Sequence, residues 1–167
     1  MIRSAKCIIC LKPRTLFLLL LLSLLIFSAC RLPRIIVLDD PLAPEEHLNL
    51  GVAYEKNGEF DSALKEYGLA AKRLPLAFLY LGNVYFQKNE FDKAEEYYGK
   101  AITADPANAD AYNNLAWLYY TQKDNLPEAE GLVLKAIELA PSKDAVYRDT
   151  LEKIRSLRKS SPPDLFL

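Results

Sequence analysis

Apolar positions run along this chain in two ways. Over residues 16–27 they are continuous, from Leu16 to Phe27, broken only by Ser23. From residue 45 onward they recur three to four residues apart, with charged and polar residues between them. That spacing is the period of an amphipathic helix. It predicts helices near 45–57, 60–72, 76–88, 91–103, 109–122 and 126–139. A further stretch over 143–158 carries Val146, Tyr147, Thr150, Leu151, Ile154 and Leu157 on one face, and Lys153, Arg155, Arg158 and Lys159 on the other. Residues that turn or stop a helix mark the boundaries. Pro75, Pro106 and Pro141 lack the backbone donor and disfavour helix just before them, which ends the second helix of each pair. Gly58 and Asn89 stand where a left-handed cap is wanted. Asp61 and Asp92 follow in the next first turn, where the helix dipole favours acids.

Aligned on itself, the chain shows one pattern three times. The first copy is Leu50-Gly51-x-x-Tyr54, then Ala63-x-x-x-Tyr67-x-x-Ala70, then Pro75. The second is Leu81-Gly82-x-x-Tyr85, then Ala94-x-x-x-Tyr98-x-x-Ala101, then Pro106. The third is Leu115-Ala116-x-x-Tyr119, then Ala129-x-x-x-Val133-x-x-Ala136, then Pro141. His47, Phe78 and Tyr112 open the three copies. This order and spacing resembles the tetratricopeptide repeat (TPR) family. The resemblance covers residues 44–141 and divides them into repeats over 44–75, 75–106 and 109–141. Residues 142–159 read as the polar-backed capping helix that repeat arrays need, and 160–167 as a disordered tail. The fold it implies is all-α: a right-handed superhelix of three TPR helix-turn-helix hairpins plus a C-terminal capping helix.

Small residues at Gly51, Gly82 and Ala116, with Ala63, Ala94 and Ala129 opposite, are expected where the two helices of a hairpin touch. The tyrosines and leucines are expected to fill the space between hairpins. The spacing is uneven: Gly51 to Gly82 is 31 residues, Gly82 to Ala116 is 34. The missing three fall around Pro75 and are expected to come from the opening turn of the second hairpin's first helix. The third hairpin gains one residue in Lys123-Asp124-Asn125-Leu126-Pro127, before a proline suited to a helix start.

In the TPR family the concave groove is lined by the first helix of each hairpin. The corresponding partner-binding positions here are Leu48, Val52 and Glu55; Leu79, Asn83 and Phe86; and Asn113, Trp117 and Tyr120. Each set is spaced i, i+4, i+7 and forms one stripe. Asn83 and Asn113 are suited to hold a peptide backbone through their amides. Phe86, Trp117 and Tyr120 are suited to apolar side chains, as aromatics at binding hot spots are. Chaperone-binding members of the family clamp a carboxylate with lysines, whereas Leu48, Val52 and Leu79 stand in those places. The resemblance therefore implies a partner protein that presents an apolar peptide or an amphipathic helix. The competing reading is that Trp117 packs on its neighbouring hairpin, or that the capping helix or Ile35–Leu38 covers the groove.

The continuous run of residues 16–27 is too short to span a bilayer. As a helix it reaches about 18 Å, against a core of roughly 30 Å. Basic residues precede it, and Phe27-Ser28-Ala29-Cys30 follows. That segment resembles the lipobox of bacterial lipoproteins. The resemblance implies a signal peptide over 1–29, lipidation and acylation (palmitate or a similar chain) at Cys30, and a tether over 30–43. Phe27 departs from the usual aliphatic residue, and the alternative is an uncleaved signal anchor. Arg31 rather than aspartate after the cysteine leans towards the outer membrane, facing the periplasm, in a two-membrane envelope. Cys7 and Cys10 precede the apolar run and lack the strand-to-helix context of a redox pair. Residues 31–43 span at most about 45 Å extended, or roughly 20 Å as a coil, which keeps the repeats near the membrane.

Charge and chemistry narrow the function classes. The chain has formal net charge −1. The first 29 residues hold four basic residues and no acid, so the rest carries seventeen Lys and Arg against twenty-two acids. A nucleic-acid binder would need a basic stripe on the folded part. His47 is the only histidine, and no metal spacing, serine elbow or phosphate loop accompanies it. Neither a metal, nor a cofactor, nor an enzyme activity is expected. The reading is a lipid-anchored adaptor, by analogy with small lipoproteins that help assemble an envelope complex such as a pilus or secretion system. The alternatives are an accessory recruiter of a cell-wall enzyme and a self-associating homo-oligomer.

Overall fold

The computed structural model describes residues 41–160. The signal segment, Cys30, the tether up to residue 40 and residues 161–167 lie outside the described residues. Those described form seven α-helices: α1 (Pro44–Lys56), α2 (Phe60–Ala70), α3 (Leu76–Gln87), α4 (Phe91–Ala104), α5 (Ala109–Gln122), α6 (Leu126–Leu139) and α7 (Asp144–Ser160). A single 3-10 turn, Pro141–Lys143, leads into α7. Consecutive helices pair into the three hairpins α1–α2, α3–α4 and α5–α6, and α7 packs on the third. The all-α fold, the TPR hairpins and the capping helix are as the repeats imply. Ser160, expected in the tail, closes α7 instead.

The hairpin turns rest on left-handed residues. Gly58 has φ 77° and Asn89 φ 59°, the conformations their types tolerate best. The third turn, with its extra residue, has two: Lys123 at φ 58° and Asn125 at φ 45°. At the array's start Pro44 opens α1, and the Ala43 N–H donates to Glu46 Oε2 over 2.7 Å.

The shortened linkage sits elsewhere than expected. When Ala63 is aligned with Ala94, α2 stops at Ala70 while α4 runs three residues further, to Ala104. The start of α3 is almost intact: it opens six residues before Gly82, where α5 opens seven before Ala116. The lost residues therefore come from the end of α2. Pro75 explains this. It has helical geometry (φ −54°, ψ −32°) and caps α3, and its carbonyl accepts from Phe78 N at 3.0 Å. Its fixed φ and missing donor suit a helix start, so here the proline begins a helix rather than ending one.

Inside each of the first two hairpins a ring lies on a bare backbone. A Cβ at Gly51 would stand 2.5 Å from Tyr67 Cδ1 and Cε1, and one at Gly82 would stand 2.5 Å from the same atoms of Tyr98. These two tyrosines thus pack within their hairpins as well as between them: Tyr67 also meets Tyr80 of the next hairpin, ring centroids 5.2 Å apart. In the third hairpin Ala116 takes the glycine's place and Val133 the tyrosine's, both fully buried. A methyl is tolerated where the facing side chain is smaller. His47, in the position the motif reserves for a large aromatic, is buried because Glu66 is buried with it; Nδ1 and Oε2 are 2.7 Å apart.

The capping helix is fixed by apolar and polar contacts together. Tyr147, Leu151 and Ile154 are buried in the larger core cluster. Tyr147 O–H and Lys143 Nζ each donate to Asp110, in the first turn of α5, over 2.7 Å. Glu130 of α6 accepts from Arg155 Nε at 2.8 Å and Arg158 Nη1 at 2.7 Å. Half of the basic face is thereby engaged with α6. Burial pushes the Asp110 carboxyl up, but the hydrogen bonds from Lys143 and Tyr147 outweigh it and hold the group below the ordinary aspartate value. A carboxyl depressed on folding contributes stability above its unfolded pKa and loses it as pH falls through the folded one. The denaturant midpoint of the wild type should therefore drop below about pH 4 more steeply than that of Asp110→Asn, the two curves converging in acid. Parallel curves would show that Asp110 holds nothing.

Candidate functional site

The first helices of the three hairpins meet around one hollow of about 230 Å³. Glu55 comes from α1, Asn83, Phe86 and Gln87 from α3, and Asn114 and Trp117 from α5; Tyr98 reaches in from α4. The glycine contact that places the Tyr98 ring also aims its hydroxyl here: Tyr98 O–H donates to Asn83 Oδ1 over 3.0 Å, and Asn114 Nδ2 donates to the same oxygen over 2.9 Å. Tyr67 repeats the arrangement one hairpin earlier, donating to Glu55 Oε2 over 2.6 Å. Gln87 Nε2 donates to Glu55 Oε1 over 2.5 Å, joining the first two hairpins. Burial, reinforced by Glu55, raises the pKa of both tyrosine hydroxyls. They remain neutral in the ordinary pH range.

Four of the nine expected groove residues line this hollow: Glu55, Asn83, Phe86 and Trp117. Tyr120 stands beside it with its ring centroid 5.0 Å from that of Trp117. Leu48 and Val52 are half-buried against the smaller core cluster of the first two hairpins. Leu79 is 7% exposed and belongs to the larger core. Asn113 is half-buried, its Oδ1 buried without a hydrogen-bond partner, and the amide that joins the hollow is its neighbour Asn114. Gln87, Tyr98 and Asn114 are the additions that the stripes did not contain. The capping helix reaches the far edge, where Lys153 Nζ stands 5.0 Å from the Trp117 ring centroid.

Two larger hollows are less suited to a partner. One of about 500 Å³ lies at Glu130, Arg155, Arg158 and Lys159, where the arginines already hold Glu130. Another of about 390 Å³ borders residues 58–62 at the first hairpin turn, where Lys88 is paired with Asp61. Neither draws on all three hairpins. Among the described residues no cluster of His, Cys, Asp and Glu is placed to hold a metal ion, and no helix is long and apolar enough to cross a membrane.

The family model for the tetratricopeptide repeat matches residues 34–77 and 79–144. The chain belongs to the tetratricopeptide repeat family. No curated relative matches it in sequence. Among solved structures, the TPR array resembles the first TPR of Spaghetti (RPAP3) bound to the HSP90 peptide SRMEEVD, with TM-score 0.64 and 22% identity, covering 70% of this chain and 94% of that one. It also resembles the Arabidopsis OM64 TPR domain, with TM-score 0.62 and 20% identity over 68% of this chain and 95% of that one. The TPR2B domain of yeast Sti1, in its complex with Hsp70, gives TM-score 0.63 and 20% identity over 68% and 96%. At these identities the likeness is one of fold.

Proposed function

We propose that this chain is a non-catalytic adaptor, held at the bacterial cell envelope by lipid on Cys30, that binds a peptide or helix of a partner protein in the groove of its TPR array. The observation that carries the reading is the hollow itself. Three hairpins contribute to it, and it presents Phe86 and Trp117 beside the amides of Asn83, Gln87 and Asn114. Aromatic anchors with a few polar groups around them are the make-up of a binding hot spot. The Spaghetti and Sti1 arrays, of the same fold, carry an HSP90 peptide and Hsp70 respectively. The anchor rests on Phe27-Ser28-Ala29-Cys30, and the outer membrane and a part in assembling an envelope complex are the settings in which such an adaptor works.

A photo-crosslinking amino acid in place of Phe86 should give a discrete partner adduct on intact membranes, while one at exposed Lys72 should not. Trp117→Ala should leave the helical signal intact and reduce that adduct at least ten-fold, about 1.4 kcal/mol. An undiminished adduct would remove the groove from the mechanism. Cys30→Ser should release the chain from the membrane fraction; retention would point to the uncleaved anchor.

A further inference from the structure

Among the described residues the carboxylate in the hollow forms no ion pair. Several acids elsewhere on the array are paired with lysines or arginines, Asp61 with Lys88, Glu96 with Lys100, Asp149 with Lys153 and Glu130 with Arg155 and Arg158, while Glu95 accepts from the neutral Tyr119 hydroxyl. Glu55 is held by two neutral donors, the Tyr67 hydroxyl at Oε2 and the Gln87 amide at Oε1. Among the described residues no lysine, arginine or histidine forms an ion pair with it, and none lines the hollow. The carboxylate is fixed in place with no cation beside it among the described residues.

The remaining walls fit the same kind of guest. Gln87 and Asn114 each spend one amide N–H internally and keep their carbonyl oxygens, which accept hydrogen bonds. Phe86 and Trp117 supply aromatic faces, and tryptophan is the aromatic that attracts a cation most strongly. The Trp117 ring already has the ammonium of Lys153 near it, although that lysine is paired with Asp149 and lies outside the hollow's lining. At about 230 Å³ the hollow is smaller than the roughly 300–1,000 Å³ of pockets that take whole small molecules, and is suited to one side chain.

We propose that this hollow receives one cationic side chain of the bound peptide, arginine by preference, with its head against the Glu55 carboxylate and its plane on the aromatic wall. The proposal rests on the groove reading above and names what that groove selects. Arginine is preferred over lysine because its planar guanidinium presents five donors and stacks on aromatic rings, matching a site that offers a carboxylate, amide oxygens and two rings. The Asn83 amide nitrogen is free to donate to a peptide carbonyl beside it. Acidic guests are excluded by charge.

Trp117 is the only tryptophan in the chain, so its emission reports on this hollow. The full chain in detergent micelles is titrated with acetyl-Ala-Leu-Arg-Leu-Ala-amide and with the same peptide carrying norleucine or glutamate at the centre. The arginine peptide should change Trp117 emission saturably and bind at least ten-fold more tightly than the other two, with the margin narrowing as salt rises. Glu55→Gln, which keeps an acceptor for Tyr67, should bring the arginine and norleucine peptides level at an unchanged melting temperature. No saturable change with arginine, equal binding of norleucine or glutamate, or a preference that survives Glu55→Gln overturns the proposal. Equal binding leaves peptide binding in the groove standing. Absence of a partner adduct from the photo-crosslinking residue at position 86 on intact membranes removes the groove reading itself.

Discussion

Gly82→Ala destabilises the array by about 1–2 kcal/mol, whereas Gly99→Ala one helix away stabilises it. Two effects of known size compete at Gly82. Alanine in a helix interior is better than glycine by about 0.8–1.0 kcal/mol. Overpacking a closed core costs typically 1–3 kcal/mol and occasionally more. The added methyl would stand 2.5 Å from two ring carbons of Tyr98, far inside contact distance. That ring is 2% exposed, and its hydroxyl is tied to Asn83, so it cannot swing aside. The clash therefore wins. At Gly99 no atom lies within 4 Å of the added methyl, and the helical preference acts alone. The third hairpin shows how the conflict is relieved, because Ala116 there shares its core with Val133 in the tyrosine's place. In a Tyr98→Val background Gly82→Ala should reverse sign and stabilise by up to about 1 kcal/mol. Urea unfolding of the four variants of this cycle measures the coupling. A coupling near zero would mean that ring and glycine do not meet.

The repeat was legible because its information is local and threefold. Each Leu-Gly-x-x-Tyr, or Leu-Ala-x-x-Tyr in the third copy, and each following Ala fixes a helix and the face it buries, and the hairpins follow. The position of the three-residue deletion was not legible from Pro75. A proline ends one helix and begins another by the same property, its missing donor, and only the α2 terminus at Ala70 decides between the two. The groove was half legible for a geometric reason. A stripe counted i, i+4, i+7 follows one helix, but the hollow lies between neighbouring helices, and its walls are their flanks. One residue is a 100° step around a helix, which separates Asn113 from Asn114. Leu79 sits on the same stripe as Asn83 and Phe86 yet turns into the core. Tyr98 reads as core from its motif position; its ring is core, and its hydroxyl is part of the site. The missing cation at Glu55 is a property of three hairpins together, and no single repeat contains it.

Ile154→Ala should cost about 3 kcal/mol, within the 2–5 kcal/mol of deleting a buried aliphatic side chain, and the loss should be local to one end of the array. Ile154 is completely buried in α7, beside Leu151 and Tyr147. Those contacts cover the last hairpin, and a repeat array without its cap exposes the core of its terminal unit. Stability in such an array is a sum of units and their nearest-neighbour interfaces. Weakening α7 should therefore open α7 and α6 first, while α1 and α2, which do not touch it, keep their protection. Amide hydrogen exchange read helix by helix gives the result. Uniform loss of protection would show that the array unfolds as one unit, and the nearest-neighbour picture would fail. The same variant reaches the candidate site through Lys153, whose ammonium lies 5.0 Å from the Trp117 ring. Fraying of α7 removes that charge, so Trp117 emission should shift at denaturant concentrations below the main transition. Lys153→Ala is the control: it should shift the emission in the same direction and leave the unfolding midpoint within about 0.5 kcal/mol of wild type, as exposed substitutions usually do. The capping helix thus both closes the core and sets the charge at the groove's edge, and the two variants separate those roles.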